Sequence, residues 1–178
     1  MTFEEKTIDS ELIYKGAILN LRKDKVTTIN GEGYREIIEH NGASAIIAIT
    51  DDNKVIMVKQ YRKPAKGIVL EVPAGKRDGD EDFELTAIRE LREETGYDAG
   101  QVIFLGEMLP SPGYSEEVIY LYMARNLTKG ETAFDDNEAI DIYEYPIDDL
   151  YKMVMDGEIT DAKTQITILK AMEVLRNE

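Results

Sequence analysis

The densest chemistry in the sequence lies in Arg89-Glu90-Leu91-Arg92-Glu93-Glu94. Glu90, Glu93 and Glu94 stand at i, i+3 and i+4, so on a helix they share one face. Like charges at that spacing repel, and a surface that concentrates them calls for a compensating cation. Carboxylate oxygens suit hard divalent ions. Mg²⁺ takes such ligands in octahedral geometry at about 2.0–2.1 Å and keeps several waters. Arg89, four residues before Glu93, is placed to brace that carboxylate.

These residues need a helix beneath them. Asp80 to Asp82 and Phe83 supply a polar start, and Leu85, Ile88 and Leu91 recur three apart, with Ala87 four before Leu91. That spacing predicts one apolar stripe on a helix over 83–95. Gly96 follows the last turn, where a left-handed residue commonly ends a helix. Gly75, ahead of the helix, is read as a tight backbone turn that brings a neighbouring carbonyl toward the same ion.

Gly75, Glu81 and the run Arg89-Glu90-Leu91-Arg92-Glu93-Glu94-Thr95-Gly96-Tyr97 carry the spacing of the Nudix box. The chain resembles Nudix hydrolases at every fixed position of that box. The resemblance implies an α/β fold, an α/β/α sandwich with a mixed sheet over 43–178. Residues 1–42 read as a small antiparallel sheet, too thin to bury much alone, that packs on the core or on a second subunit; the resemblance implies a homodimer through it. It also implies Mg²⁺, with Mn²⁺ as a substitute, held by the Ala74 carbonyl, Glu90, Glu94 and Glu138. Glu93 is then a ligand or supports one, Arg89 orients a glutamate, and Glu81 braces the loop of the box. For catalysis the resemblance points to Glu93, Glu94 and Glu138, with Asp136 as the alternate base. By itself, the acidic run around Asp136 and Glu138 reads as a solvated loop before a strand.

Substrate clues lie elsewhere. Pro112 stands sixteen residues beyond Gly96 in the loop Pro110-Ser111-Pro112-Gly113-Tyr114. By itself this is a turn. At that spacing it resembles the ADP-ribose and ADP-sugar branch of the family. Gln60-Tyr61-Arg62 resembles a motif of that branch, in which the arginine contacts substrate, although Arg62 alone reads as a solvated strand-end charge. Arg35 reads as an exposed strand arginine, which in this branch reaches a substrate phosphate. Glu71 resembles a position that supports the site. Tyr114 is either a packed loop tyrosine or an aromatic face for a base. The activity implied is hydrolysis of ADP-ribose to AMP and ribose 5-phosphate by metal-activated water. Alternatives are a broader nucleotide-sugar or dinucleoside polyphosphate pyrophosphatase, or a non-catalytic nucleotide-sugar sensor.

Composition narrows the partners. A net charge of −15 and a pI near 4.5 argue against nucleic acid and anionic membrane. With no cysteine and the single His40, thiolate chemistry and multi-histidine metal sites are excluded. The longest apolar run, Ala45 to Ile49, is too short to span a bilayer, and the acidic N-terminus is no signal peptide. A cytoplasmic protein is expected.

Along the chain, Asn30-Gly31 between β-prone runs predicts a hairpin. Ser44–Thr50, Val55–Gln60 and Ile68–Gly75 read as strands, the last running into the box, followed by Val102–Met108 and Val118–Ala124. Helices are expected after Pro146, ended by Gly157, and from about Asp161 to Arg176.

Overall fold

The computed structural model describes residues 2–132 and 139–178. Contacts divide the chain into two units, Met1–Gly42 with Leu109–Val118, and Ala43–Met108 with Ile119–Glu178.

The first unit is an antiparallel meander of β1 (Thr7–Lys15), β2 (Asn20–Thr28) and β3 (Gly31–Glu39). The expected hairpin forms, with Thr28 opposite Gly31. Three strands enclose little: among the described side chains of this unit, only Asp24 and Val26 are buried. Buried Asp24 accepts hydrogen bonds from Ser10 Oγ at 2.7 Å and Arg22 Nη1 at 2.6 Å. Arg22 also pairs with Glu116, the Ile38 N–H donates to the Tyr114 carbonyl at 2.7 Å, and the Glu116 N–H donates to the Ile38 carbonyl at 2.9 Å, so side chain and backbone both tie the 109–118 loop to this sheet.

The second unit is built on a sheet ordered β10-β5-β4-β9-β8. The strands are β4 (Ala43–Ile49), β5 (Lys54–Arg62), β8 (Tyr97–Met108), β9 (Ile119–Lys129) and β10 (Ile140–Pro146). Short β6 (Gly67–Glu71) pairs with β5, and β7 (Ala74–Lys76) pairs with β4. The β4–β9 pair is parallel and the others are antiparallel. Alternation along β4 sends successive side chains to opposite faces. Ile46 and Ala48 join Ala87 and Leu91 of α1 (Phe83–Thr95), while Ala45, Ile47 and Ile49 join residues of α2 (Ile147–Met155) and α3 (Ala162–Arg176). Helices therefore cover both faces, giving the α/β/α sandwich with a mixed sheet that the sequence predicts.

The helix α1 has the predicted bounds. The Asp82 side chain accepts from the Glu84 N–H, and Gly96, at φ 74°, closes the other end with its N–H on the Arg92 carbonyl. Its buried face differs from the expected stripe. Thr86, Ala87, Leu91, Glu94 and Thr95 are buried, and Leu85 is 58% exposed. Leu85 lies two positions from Ala87, about 200° around the helix, so the two cannot both face the sheet. Small Ala87 and Thr86 take the sheet side. After Gly96 the chain enters β8 at once, five residues earlier than the apolar run Val102–Met108 suggests, because Tyr97–Gln101 finds partners along β9.

Candidate active site

The centre of the glutamate face is Arg89. Its Nη1 donates to Glu90 Oε1 at 2.8 Å and to Glu93 Oε2 at 2.9 Å. Its Nε and Nη2 donate to the two oxygens of Glu81 at 3.2 and 3.0 Å, and Nη2 also reaches the Lys76 carbonyl at 3.1 Å. One planar cation thus holds three carboxylates and the loop that precedes the helix, a geometry to which guanidinium is suited. The hydrogen bond to Glu81, with the charge of Glu90, raises the Arg89 pKa above its ordinary value despite opposing burial. In return, Arg89 holds the Glu81 carboxyl below the usual range.

Glu94 faces inward. It is 3% exposed, and its Oε2 accepts from the Ala74 N–H at 3.1 Å. Helix α1 and strand β7 are therefore joined at the residue whose carbonyl the family resemblance assigns to metal. Gly75 serves a different purpose from the tight turn expected of it. It sits in β7, and a Cβ there would enter the space of the Glu90 carboxyl group, closer than 3.0 Å to its carbon and both oxygens. Glycine is needed for the close approach of Glu90.

The donor set suits a hard divalent cation: glutamate oxygens on one helix face, beside backbone held to the same helix. Among the described residues no three histidine, aspartate or glutamate side chains form a group arranged to hold a metal. Glu90 and Glu93 are spent on Arg89, and Glu94 on Ala74. Asp136 and Glu138 lie outside the described residues.

Arg62 and Glu71 form the second part. Glu71 is 2% exposed and accepts from Arg62 Nε at 2.7 Å, from Arg62 Nη2 at 2.9 Å, and from Lys163 Nζ. Burial opposes its ionisation, but the Arg62 hydrogen bond and the Lys163 charge outweigh burial and hold its pKa below the ordinary value. The Arg62 pKa is raised, first by the hydrogen bond to Glu71; Glu94 and Asp161 add to this through their charge. Nothing in the sequence pointed to Lys163 or to Thr164, whose hydroxyl accepts from the buried Val72 N–H at 3.0 Å. Their partners are 92 residues away. Asp161-Ala162-Lys163-Thr164 carries only the local signal of a helix cap, and Asp161 does cap α3.

Arg35, Pro112 and Tyr114 belong to the first unit. Arg35 pairs with Glu5 and donates to the Tyr34 carbonyl at 2.8 Å. Tyr114 is 60% exposed, with its hydroxyl 3.3 Å from Ser111 Oγ. A cavity of about 630 Å³ lies past the end of α1 among Thr95, Tyr97, Lys129 and Tyr143. Glu90, Glu93 and Glu94 do not line it. A smaller one, about 320 Å³, is walled by Arg62, Glu71, Asp161 and Lys163.

Residues 40–165 match the NUDIX domain family. The chain is 43% identical over 181 residues to the methanol dehydrogenase activator of Bacillus methanolicus, covering 99% of this chain and 98% of that one. It is 39% identical over 170 residues to the ADP-ribose pyrophosphatase of Bacillus subtilis (strain 168), covering 94% and 92%. In fold it is similar to an ADP compounds hydrolase of known crystal structure, with a TM-score of 0.86 at 18% identity, over 99% of this chain and 97% of that one.

Proposed function

The chain belongs to the NUDIX domain family, and on that footing we propose that it hydrolyses the diphosphate bond of ADP-ribose. Water adds to one phosphorus, the P–O–P bridge breaks, and AMP and ribose 5-phosphate leave. The observation that carries this reading is the glutamate face itself: Arg89 gathers Glu81, Glu90 and Glu93, and Glu94 is joined to Ala74 beside them. The 39% identity to an ADP-ribose pyrophosphatase supports the substrate.

Each residue has a task in this scheme. Glu90, Glu94, the Ala74 carbonyl and Glu138 hold Mg²⁺ or Mn²⁺. The cation, when bound, neutralises phosphate charge and makes the attacking water more acidic. Glu93 supports the ligand face through Arg89. Glu138 takes the proton from water, with Asp136 as the alternate base. Arg62, steadied by Glu71, and Arg35 bind phosphate oxygens. Pro112 shapes the loop that selects the ADP-sugar, and Tyr114 stacks on the base. We further propose that the protein works in the cytoplasm as a homodimer through its N-terminal sheet. Among the described residues no helix is long and apolar enough to cross a membrane. All nine residues of β1 are exposed, including Ile8, Leu12, Ile13 and Tyr14, a surface suited to a second copy.

The test is product analysis with ADP-ribose, other ADP-sugars, GDP-mannose, diadenosine polyphosphates and nucleoside triphosphates, each with Mg²⁺ and with EDTA. Metal-dependent release of AMP, fastest from ADP-ribose, is expected. Preference for another diphosphate moves the substrate and keeps the chemistry. A second reading is favoured by the 43% identity to a methanol dehydrogenase activator: the protein regulates a dehydrogenase. Adding it to an alcohol dehydrogenase assay, as wild type and as E94Q, separates the two. Stimulation that survives E94Q without any diphosphate turnover would favour regulation by binding.

A further inference from the structure

The buried carboxylate of Glu71 takes hydrogen bonds from two cations on different elements. Arg62 ends β5, while Lys163 stands in the first turn of α3. The Lys163 side chain is 13% exposed and is itself held by Asp161 Oδ2 at 3.0 Å. Arg62 is different: its side chain is 41% exposed, its Nε and Nη2 are committed to Glu71, and its Nη1 makes no hydrogen bond among the described residues. All four side chains wall one cavity of about 320 Å³.

An arginine on a free stem loses rotamer entropy when a ligand immobilises it. A clamp already in place removes that cost from binding. Glu71 is such a clamp only while its own carboxylate is held. With Arg62 as sole partner the two side chains turn together; a third, nearly buried donor on a separate helix fixes the carboxylate plane.

We propose that Lys163 is a positioning residue for substrate binding: through Glu71 it fixes the guanidinium of Arg62 in the one orientation that meets a phosphate oxygen of a nucleoside diphosphate. The inference rests on the reading that Arg62 binds substrate. Lys163 touches no substrate atom in this scheme.

The experiment compares wild type with K163M, K163R, R62A and R62A/K163M. Steady-state kinetics use ADP-ribose with Mg²⁺, equilibrium titration uses ADP-ribose in EDTA, and thermal unfolding is followed in parallel. K163M is expected to raise KM about tenfold, more than it changes kcat. K163R should recover most of that loss. R62A should raise KM at least as much, and adding K163M to R62A should cost nothing further, because the two act on one contact. A K163M protein with lower Tm and unchanged KM overturns the inference, since Lys163 is then only structural. A further rise in KM on the R62A background also overturns it, since Lys163 then acts without Arg62. If R62A itself leaves KM and affinity unchanged, the reading of Arg62 has failed, and this inference with it. If K163M does not fold, E71Q takes its place: it must raise KM similarly, and an unchanged value overturns the proposal. Without turnover by wild type, the same comparison is read from the titration, and a wild type that fails to bind ADP-ribose overturns both.

Discussion

Replacing Gly75 by alanine separates the chemistry of the glutamate face from the stability of the fold. The added Cβ would lie inside 3.0 Å of the carbon and both oxygens of the Glu90 carboxyl group. Backbone cannot easily yield there, because Ser44 pairs with Gly75 in the β4–β7 ladder. The Glu90 carboxylate is the far end of a flexible side chain and can yield. It must retreat by about 1 Å, a displacement that costs roughly 10²-fold in a positioned site. In transition-state terms this is about 2.7 kcal/mol. The cost to folding is much smaller. Losing the 2.8 Å Arg89–Glu90 hydrogen bond removes about 1 kcal/mol, and alanine offsets roughly half of that or more by restricting the unfolded chain. At this chain length Tm should move by less than about 4 °C. The assay is AMP release from ADP-ribose with Mg²⁺, run beside thermal unfolding. The double variant G75A/E90Q should be no less active than E90Q, because both changes remove one group. Wild-type kcat/KM in folded G75A would refute the reasoning, as would a Tm loss of 8 °C or more, which would mean that Glu90 cannot move.

E94Q should lower hydrolysis by roughly 10²–10³-fold with Tm nearly unchanged, since the amide oxygen can still accept from the Ala74 N–H; full turnover would remove Glu94 from the ligand set. T164V deletes the acceptor of the buried Val72 N–H, which should cost about 2 kcal/mol and lower Tm by about 4–8 °C in a melting experiment. The folded-state pKa of Glu71 is depressed from 4.5. Its stabilising contribution is therefore complete above that unfolded value and is lost as pH falls through the lower folded value. Urea titrations from pH 6 downward should show stability declining below about pH 4.5, with a shallower decline in R62A; equal slopes would exclude Glu71 as a source.

Much of the second unit was legible from local pattern. The bounds of α1 follow from Asp82 and Gly96, and those of α2 from Pro146 and Gly157, because caps and breakers act within one turn. Ser44–Thr50 and Val55–Gln60 announce themselves as strands by continuous apolar character, which a sheet covered on both faces requires. The buried face of α1 was not legible. Leu85 is as apolar as Leu91, and only the position of the sheet selects Ala87 and Leu91 over it.

The same division holds at the site. Spacing alone brings Glu90, Glu93 and Glu94 to one helix face with Arg89 among them, because helix geometry converts intervals of three and four into adjacency. The same run, together with Gly75 and Glu81 at the spacing of the box, carries the resemblance to the family. The partners that orient these groups come from far along the chain: Glu94 to Ala74, the Glu90 carboxyl to Gly75, Glu71 to Lys163, Val72 to Thr164. Such pairings follow no periodicity. They exist because burying a carboxylate or a backbone N–H is costly without a partner, and which partner is within reach depends on how strands β6 and β7 and helix α3 pack together.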